Sequence, residues 1–211
     1  MKEVVTRAFD ASFETRDEDG KSGIITGRPV VLNSRTDLGF CDEVIDARAL
    51  ENTDLRDVRL CLNHDTSYVY ARSRQNNGNS TMTISTDAMG LTFEAELDIE
   101  RSPAAQDFYS AIRRGDIDKM SFMFTIDGYE WENLESDHPT RRITSIGTIY
   151  EISAVTFPAY QSTSIEARND EMLESIRSEL ESARRGLIES PDGEELELAK
   201  AKYFYTRRKS K

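Results

Sequence analysis

From Glu3 to Thr156 the chain is written almost entirely in short β-branched or aromatic runs set off by Gly, Asn and Asp. Such runs are too short for helices and carry period-two alternation, so they must pair as strands. The segments 4–9, 23–32, 58–62, 68–71, 81–86 and 91–97 are of this kind. In the last, Leu91, Phe93, Ala95 and Leu97 alternate with polar residues, the pattern of a strand with one wet face. The spacing predicts a β-rich α+β fold whose sheet is antiparallel or mixed, closed as a barrel or stacked as a sandwich.

One helix is signalled inside this region, with Ser102 as N-cap, Pro103 at the first helical position and Gly115 beyond the last turn. Its buried stripe is Ala105, Phe108, Tyr109 and Ile112. The following run 119–126 reads as a strand, with Met120, Phe122, Phe124 and Ile126 on one face and Ser121 beside Met123 on the other. Residues 129–140 are polar, include Pro139 and read as a loop, and 143–157 reads as a long strand ending before Pro158. From Ile165 to Gly186 the composition turns to Glu, Arg, Ser and Ala, with Met172, Ile176 and Leu180 at helical spacing. The expected organisation is one domain over residues 1–165 and a charged helical or weakly ordered tail over 166–211.

The formal net charge is −12, of which −11 falls within residues 1–165, and this argues against nucleic acid as the main partner. The tail segregates its charge, acidic residues from Glu189 to Glu197 preceding basic ones from Lys200 to Lys211, as in solvated or partner-binding extensions. No run approaches the roughly 18–20 apolar residues of a membrane span, and the charged start Met1-Lys2-Glu3 leads into no signal-like apolar region. A soluble, unexported protein is expected. Two cysteines, Cys41 and Cys61, are too few for a disulfide framework or a zinc site, so both read as small buried side chains.

Chemistry narrows to three residues. The chain has two histidines. His64 stands at the end of the strand-like run 58–62, where a rigid element can hold a general base, whereas His138 lies in the polar loop. Ser121 is a lone hydroxyl among bulky apolar residues, inert unless a base takes its proton, and no Gly-x-Ser-x-Gly elbow surrounds it. Glu151 interrupts an apolar strand, where a carboxylate needs a donor such as an imidazole N–H; an edge strand facing water is the ordinary alternative.

Taken together and in order, Leu62-Asn63-His64-Asp65, the alternating run 91–97, Arg113-Arg114-Gly115-Asp116-Ile117-Asp118-Lys119-Met120-Ser121-Phe122, and Glu151-Ile152-Ser153-Ala154-Val155-Thr156-Phe157-Pro158-Ala159-Tyr160 resemble the tailed-phage prohead protease family. The stretch Asp42-Glu43-Val44-Ile45-Asp46 with Ala49-Leu50 is similar to the family's segment ahead of the histidine. The resemblance covers about residues 1–165. It implies a serine endopeptidase of capsid maturation with an assemblin-like β-barrel surrounded by helices. The family's base falls on His64, its nucleophile on Ser121 and the third member on Glu151, with Asp65 a competitor beside the histidine. Backbone N–H groups near Ala159 and Tyr160 would hold the oxyanion. Met123 stands where the family often has Gly, and Leu62 where it has Trp, which bears on pocket shape.

By the same resemblance the substrates and partners are the major capsid protein precursor, any scaffold, and further copies of the enzyme, met inside the assembling prohead in the host cytoplasm. No cofactor and no metal enter this chemistry. Two other classes remain at this stage: a non-catalytic assembly factor on the same barrel, and a metal-dependent hydrolase drawing on Cys61, His64 and Asp65.

Overall fold

The long hairpin β10 (Lys119–Glu132) and β11 (Thr140–Val155) is the spine of the protein, and most other strands are placed by it. A computed structural model describes residues 4–10, 13–18, 21–156 and 166–188. On one side of the hairpin β1 (Val4–Asp10) pairs antiparallel with β10, matching Ala8 to Ser121. On the other side β11 is joined in parallel by two strands in succession. Its first half pairs with β5 (Asp42–Ile45), to which β4 (Arg35–Asp37) adds, and its second half with β6 (Val58–Leu62), to which β7 (Ala71–Ser73) adds. These strands make a seven-stranded mixed sheet. A four-stranded antiparallel sheet runs β2 (Glu14–Glu18), β3 (Lys21–Val31), β9 (Gly90–Glu96), β8 (Met82–Asp87).

Period-two alternation decides which faces meet. Met120, Phe122 and Phe124 of β10 turn inward with Ile149 and Ile152 of β11, and they pack with Ile25, Val30, Leu91 and Phe93 of the smaller sheet. Phe122 and Phe124 stack with centroids 4.4 Å apart. Each such side chain taken from water contributes about 1.5–3 kcal/mol. The face carrying Ser121 lies opposite, as the alternation predicts.

Helix α1 (Pro103–Arg114) closes one end of the core with the expected stripe of Ala105, Phe108, Tyr109 and Ile112. Ser102 accepts a hydrogen bond from the Ala105 N–H, and Gly115 caps the C-terminus at φ 76°, a conformation that glycine adopts without a Cβ penalty. Helix α2 (Glu166–Ile188) lays Met172 and Ile176 on Leu38, Phe40, Cys41 and Trp131, and Leu180 is buried on the same stripe. Neither helix is long and apolar enough to cross a membrane.

Three expectations need correction. The polar stretch from 129 is not all loop: β10 continues to Glu132, because Tyr129 and Trp131 pair with Ile143 and Arg141 across the hairpin, and the turn spans only 133–139. Residues 68–70 lie outside the strand expected there, with Tyr68 exposed. The described strands also form two sheets and no closed barrel. β1 and β3 touch without a hydrogen-bonded ladder, and closure requires every edge to find one. The tail beyond Ile188 lies outside the described residues.

Candidate active site

β6 delivers the histidine. The strand ends in two consecutive left-handed residues, Asn63 (φ 51°) and His64 (φ 60°), which turn the chain sharply where a continuing strand would carry the imidazole away. Asn tolerates this conformation, and β11 holds the turn from several points. The Asn63 N–H donates to Ala154 O at 2.9 Å, and Asn63 Oδ1 accepts from the Thr156 N–H at 2.9 Å and the Thr156 hydroxyl at 3.2 Å. The His64 N–H donates to Ser153 Oγ at 3.1 Å.

Glu151 meets the ring. Its Oε1 lies 2.5 Å from His64 Nδ1, and its Oε2 accepts from the Ser153 hydroxyl at 2.5 Å. Glu151 is 1% exposed, on a strand flanked by β10 and β6, so the alternative of an edge glutamate facing water is excluded. A bulge places it: Met123 pairs with Glu151 and Phe124 with Ile149, leaving Tyr150 out of the ladder and exposed. An imidazole that meets an ionised carboxylate through Nδ1 donates from that nitrogen, since the carboxylate can only accept, and carries its lone pair on Nε2. Nε2 has no hydrogen-bond partner among the described residues.

Ser121 stands one strand further along the same face. Its partner on β11 is Ser153, whose partner on β6 is Cys61, so the three form a row across β10, β11 and β6. The Ser121 hydroxyl donates to the Arg7 carbonyl of β1 at 2.9 Å, and the residue is 1% exposed. The structure thus joins His64 to Glu151 directly and brings Ser121 to the neighbouring strand, with its proton aimed at Arg7 rather than the imidazole. Ala159 and Tyr160 lie outside the described residues.

The remaining candidates fall away on geometry. Asp65 accepts from the Ser67 N–H and does not pair with the imidazole. Burial, and next the charge of Glu151, push the Cys61 thiol up to about 12, which keeps it protonated in the metal-free protein at neutral pH. Cys61, His64 and Asp65 form no ligand cluster. Among the described residues such a cluster occurs at Asp37, Asp42 and His138, where His138 Nε2 lies 3.2 Å from Asp42. A cavity of about 250 Å³ is lined by Leu62, Asn63, Asp65, Tyr68, Tyr70 and Ala104, so the residues on either side of His64 border it, and Tyr70 stacks on Phe108 of α1. A larger depression on the four-stranded sheet, lined by Glu14, Arg16 and Arg28 among others, includes none of these groups.

Ser153 and Arg7 escaped the sequence reading for different reasons. Ser153 is two residues from Glu151, and the period of a strand puts both on one face, so the signal was present. The Arg7 carbonyl reaches Ser121 across 114 positions of sequence through a backbone atom that every residue possesses.

An imidazole hydrogen-bonded to a buried carboxylate, with a serine on the neighbouring strand, is an arrangement that can support acyl transfer. No curated protein and no solved structure is found to match the chain. The sequence pattern of the caudovirus prohead serine proteases matches residues 11–177, spanning the strands, α1, His64, Ser121, Glu151 and the first part of α2, and the chain therefore belongs to that family.

Proposed function

We propose that the protein is a serine endopeptidase of capsid maturation with Ser121 as nucleophile, His64 as general base and Glu151 as the group that orients and stabilises the imidazole. The observation that carries this reading is the pairing of partly buried His64 with buried Glu151, with Nδ1 occupied and Nε2 free, one strand from Ser121. The Ser121 hydroxyl leaves the Arg7 carbonyl and turns to His64 Nε2, which takes the proton as Oγ attacks the peptide carbonyl. The imidazolium, stabilised by Glu151, passes that proton to the leaving amine as the C–N bond breaks. Water then attacks the acyl-enzyme with His64 again as base, and Ser121 regains its proton. Backbone N–H groups near Ala159 and Tyr160 hold the oxyanion in this scheme. The cavity at Leu62, Tyr68 and Tyr70 receives a substrate side chain next to the scissile bond.

The substrates are the major capsid protein precursor, its scaffold and the enzyme's own ends, cut inside the prohead in the host cytoplasm. There, confinement raises local concentration and brings copies of the enzyme together. The charge-segregated tail packages the enzyme with scaffold. An assemblin-like relationship belongs to this reading, with the two sheets as parts of a barrel that closes in the assembled enzyme.

One observation favours a second reading, a non-catalytic assembly factor: Ser121 is buried and its hydroxyl is engaged by Arg7. Intact-mass analysis of the chain and of Ser121→Ala, each alone and with capsid precursor, separates the two. Discrete fragments lost in the variant are expected; identical masses in both, with assembled precursor present, would establish the assembly factor instead.

A further inference from the structure

We infer that Ser153 is a positioning residue of this site, locking the Glu151 carboxylate and the His64 turn into one unit. The inference rests on the serine-protease reading above. Ser153 is fully buried, and its one hydroxyl serves both sides: it donates to Glu151 Oε2 at 2.5 Å and accepts from the His64 N–H at 3.1 Å. With the contact from His64 Nδ1 to Glu151 Oε1, a ring of hydrogen bonds closes through Glu151, the imidazole, the His64 backbone and Ser153.

Each bond in that ring has a task. A buried carboxylate has two oxygens to satisfy, and the imidazole reaches only one. If Oε2 had no partner, the carboxylate could rotate about its terminal torsion, which has only a soft preference, and Oε1 would leave Nδ1. The donor on Oε2 removes that freedom. It also leaves the imidazole to supply the second donor, which keeps the hydrogen on Nδ1 and the lone pair on Nε2. Meanwhile the bond from the His64 N–H fixes the residue that carries the ring to the same oxygen that fixes the carboxylate, so displacement of either is resisted by both.

A purely structural role for Ser153 fits the contacts less well. The left-handed turn is already held to β11 by the Asn63 N–H on Ala154 O and by Asn63 Oδ1 on Thr156, and the strand by its ladders to β10 and β6. What Ser153 adds is the connection between turn and carboxylate. Its place opposite Ser121 on β10 also means that this clamp borders the nucleophile's own strand.

The test uses the full chain and a fluorogenic peptide spanning a cut site mapped by intact mass, with Ser121→Ala as control. Ser153→Ala removes the oxygen. Ser153→Cys keeps a side chain there but is a poor hydrogen-bonding group, and reads the same loss if the alanine variant does not fold. Ser153→Thr restores the hydroxyl. The Ala and Cys variants are expected to lose about ten- to a hundredfold in kcat, the scale of a hydrogen bond to a charged group, with KM held within about twofold and with Thr recovering most of the loss. A second readout needs no turnover. In 15N-histidine-labelled protein the His64 Nδ1–H resonance, set apart from that of His138, should shift or broaden in Ser153→Ala and return in Ser153→Thr. Parental kcat in the Ala and Cys variants would overturn the inference while a dead Ser121→Ala left the protease reading intact, as would a Thr variant as impaired as Ala. Cleavage that persists in Ser121→Ala would overturn both.

Discussion

At the scale of single residues the site is a matter of which atom holds which proton. Glu151 is committed by His64 on one oxygen and Ser153 on the other, so its value lies in charge and direction together. Glu151→Gln keeps the shape and loses the charge that stabilises the imidazolium in the proposed scheme. We expect kcat to fall on the order of 10²–10⁴-fold, with a melting temperature within a few degrees of the parent; a loss under threefold would remove Glu151 from the mechanism. The two thiols supply a contrasting prediction. Burial first, then neighbouring carboxylates, raise Cys41 to about 11 and Cys61 to about 12. At pH 8 iodoacetamide should leave both unmodified in the native chain and alkylate both in denaturant, and it should not inhibit cleavage. Rapid native alkylation with loss of activity would point to a cysteine enzyme.

Among the elements, α2 shows how a sparse apolar stripe is enough when charge completes it. Met172, Ile176 and Leu180 face the body, Arg141 donates to Glu179 at 2.8 Å, and Arg184 donates to the carbonyls of Leu134 and Ser136 in the β10–β11 turn. Cys41 lies beneath this contact. Ile176→Asp would place a carboxylate in that seam and release the helix. Alkylation at pH 8 followed by mass analysis should then find Cys41 modified and Cys61 still protected, since Cys61 is fully buried on β6, which pairs with β11 and β7 and not with α2. Equal protection of both would show that α2 does not depend on its apolar stripe. β1 touches the candidate site directly, since its Arg7 carbonyl accepts from the Ser121 hydroxyl. A strand added from the N-terminus therefore sets the position of the proposed nucleophile.

Across the whole molecule, one buried ionic cluster joins β1, β5, β11 and α2. Arg7 and Arg141 both donate to Glu43; Arg7 also contacts Met172 at 3.0 Å, and the Arg141 guanidinium lies 4.4 Å from the centre of the Tyr129 ring. Burial opposes the charged form of Glu43, but the two guanidinium groups outweigh it and hold its pKa below the ordinary carboxylate range. A carboxylate depressed in the folded state contributes stability that is full above the unfolded value near ~4.3 and is lost as pH falls through the lower folded value. Glu43→Gln should cost about 3–5 kcal/mol in urea unfolding at pH 7, because it removes the carboxylate charge that two buried guanidinium groups share, and it should flatten the acid limb of stability. A change under about 1 kcal/mol would show that the cluster is not a stabilising joint. The same contrast between local and distant causes explains how far the residues could be read. The helix at Pro103–Arg114, the inward face of Met120, Phe122 and Phe124, and the candidacy of His64, Ser121 and Glu151 rest on caps, strand period and short motifs, which act within a few positions of the chain. The parallel joining of β5 and β6 to β11, the sheets' failure to close as a barrel, the burial of Glu151 and the Arg7 contact on Ser121 all depend on which distant strands become neighbours. That choice is made by packing summed over the whole core, and no local pattern encodes it.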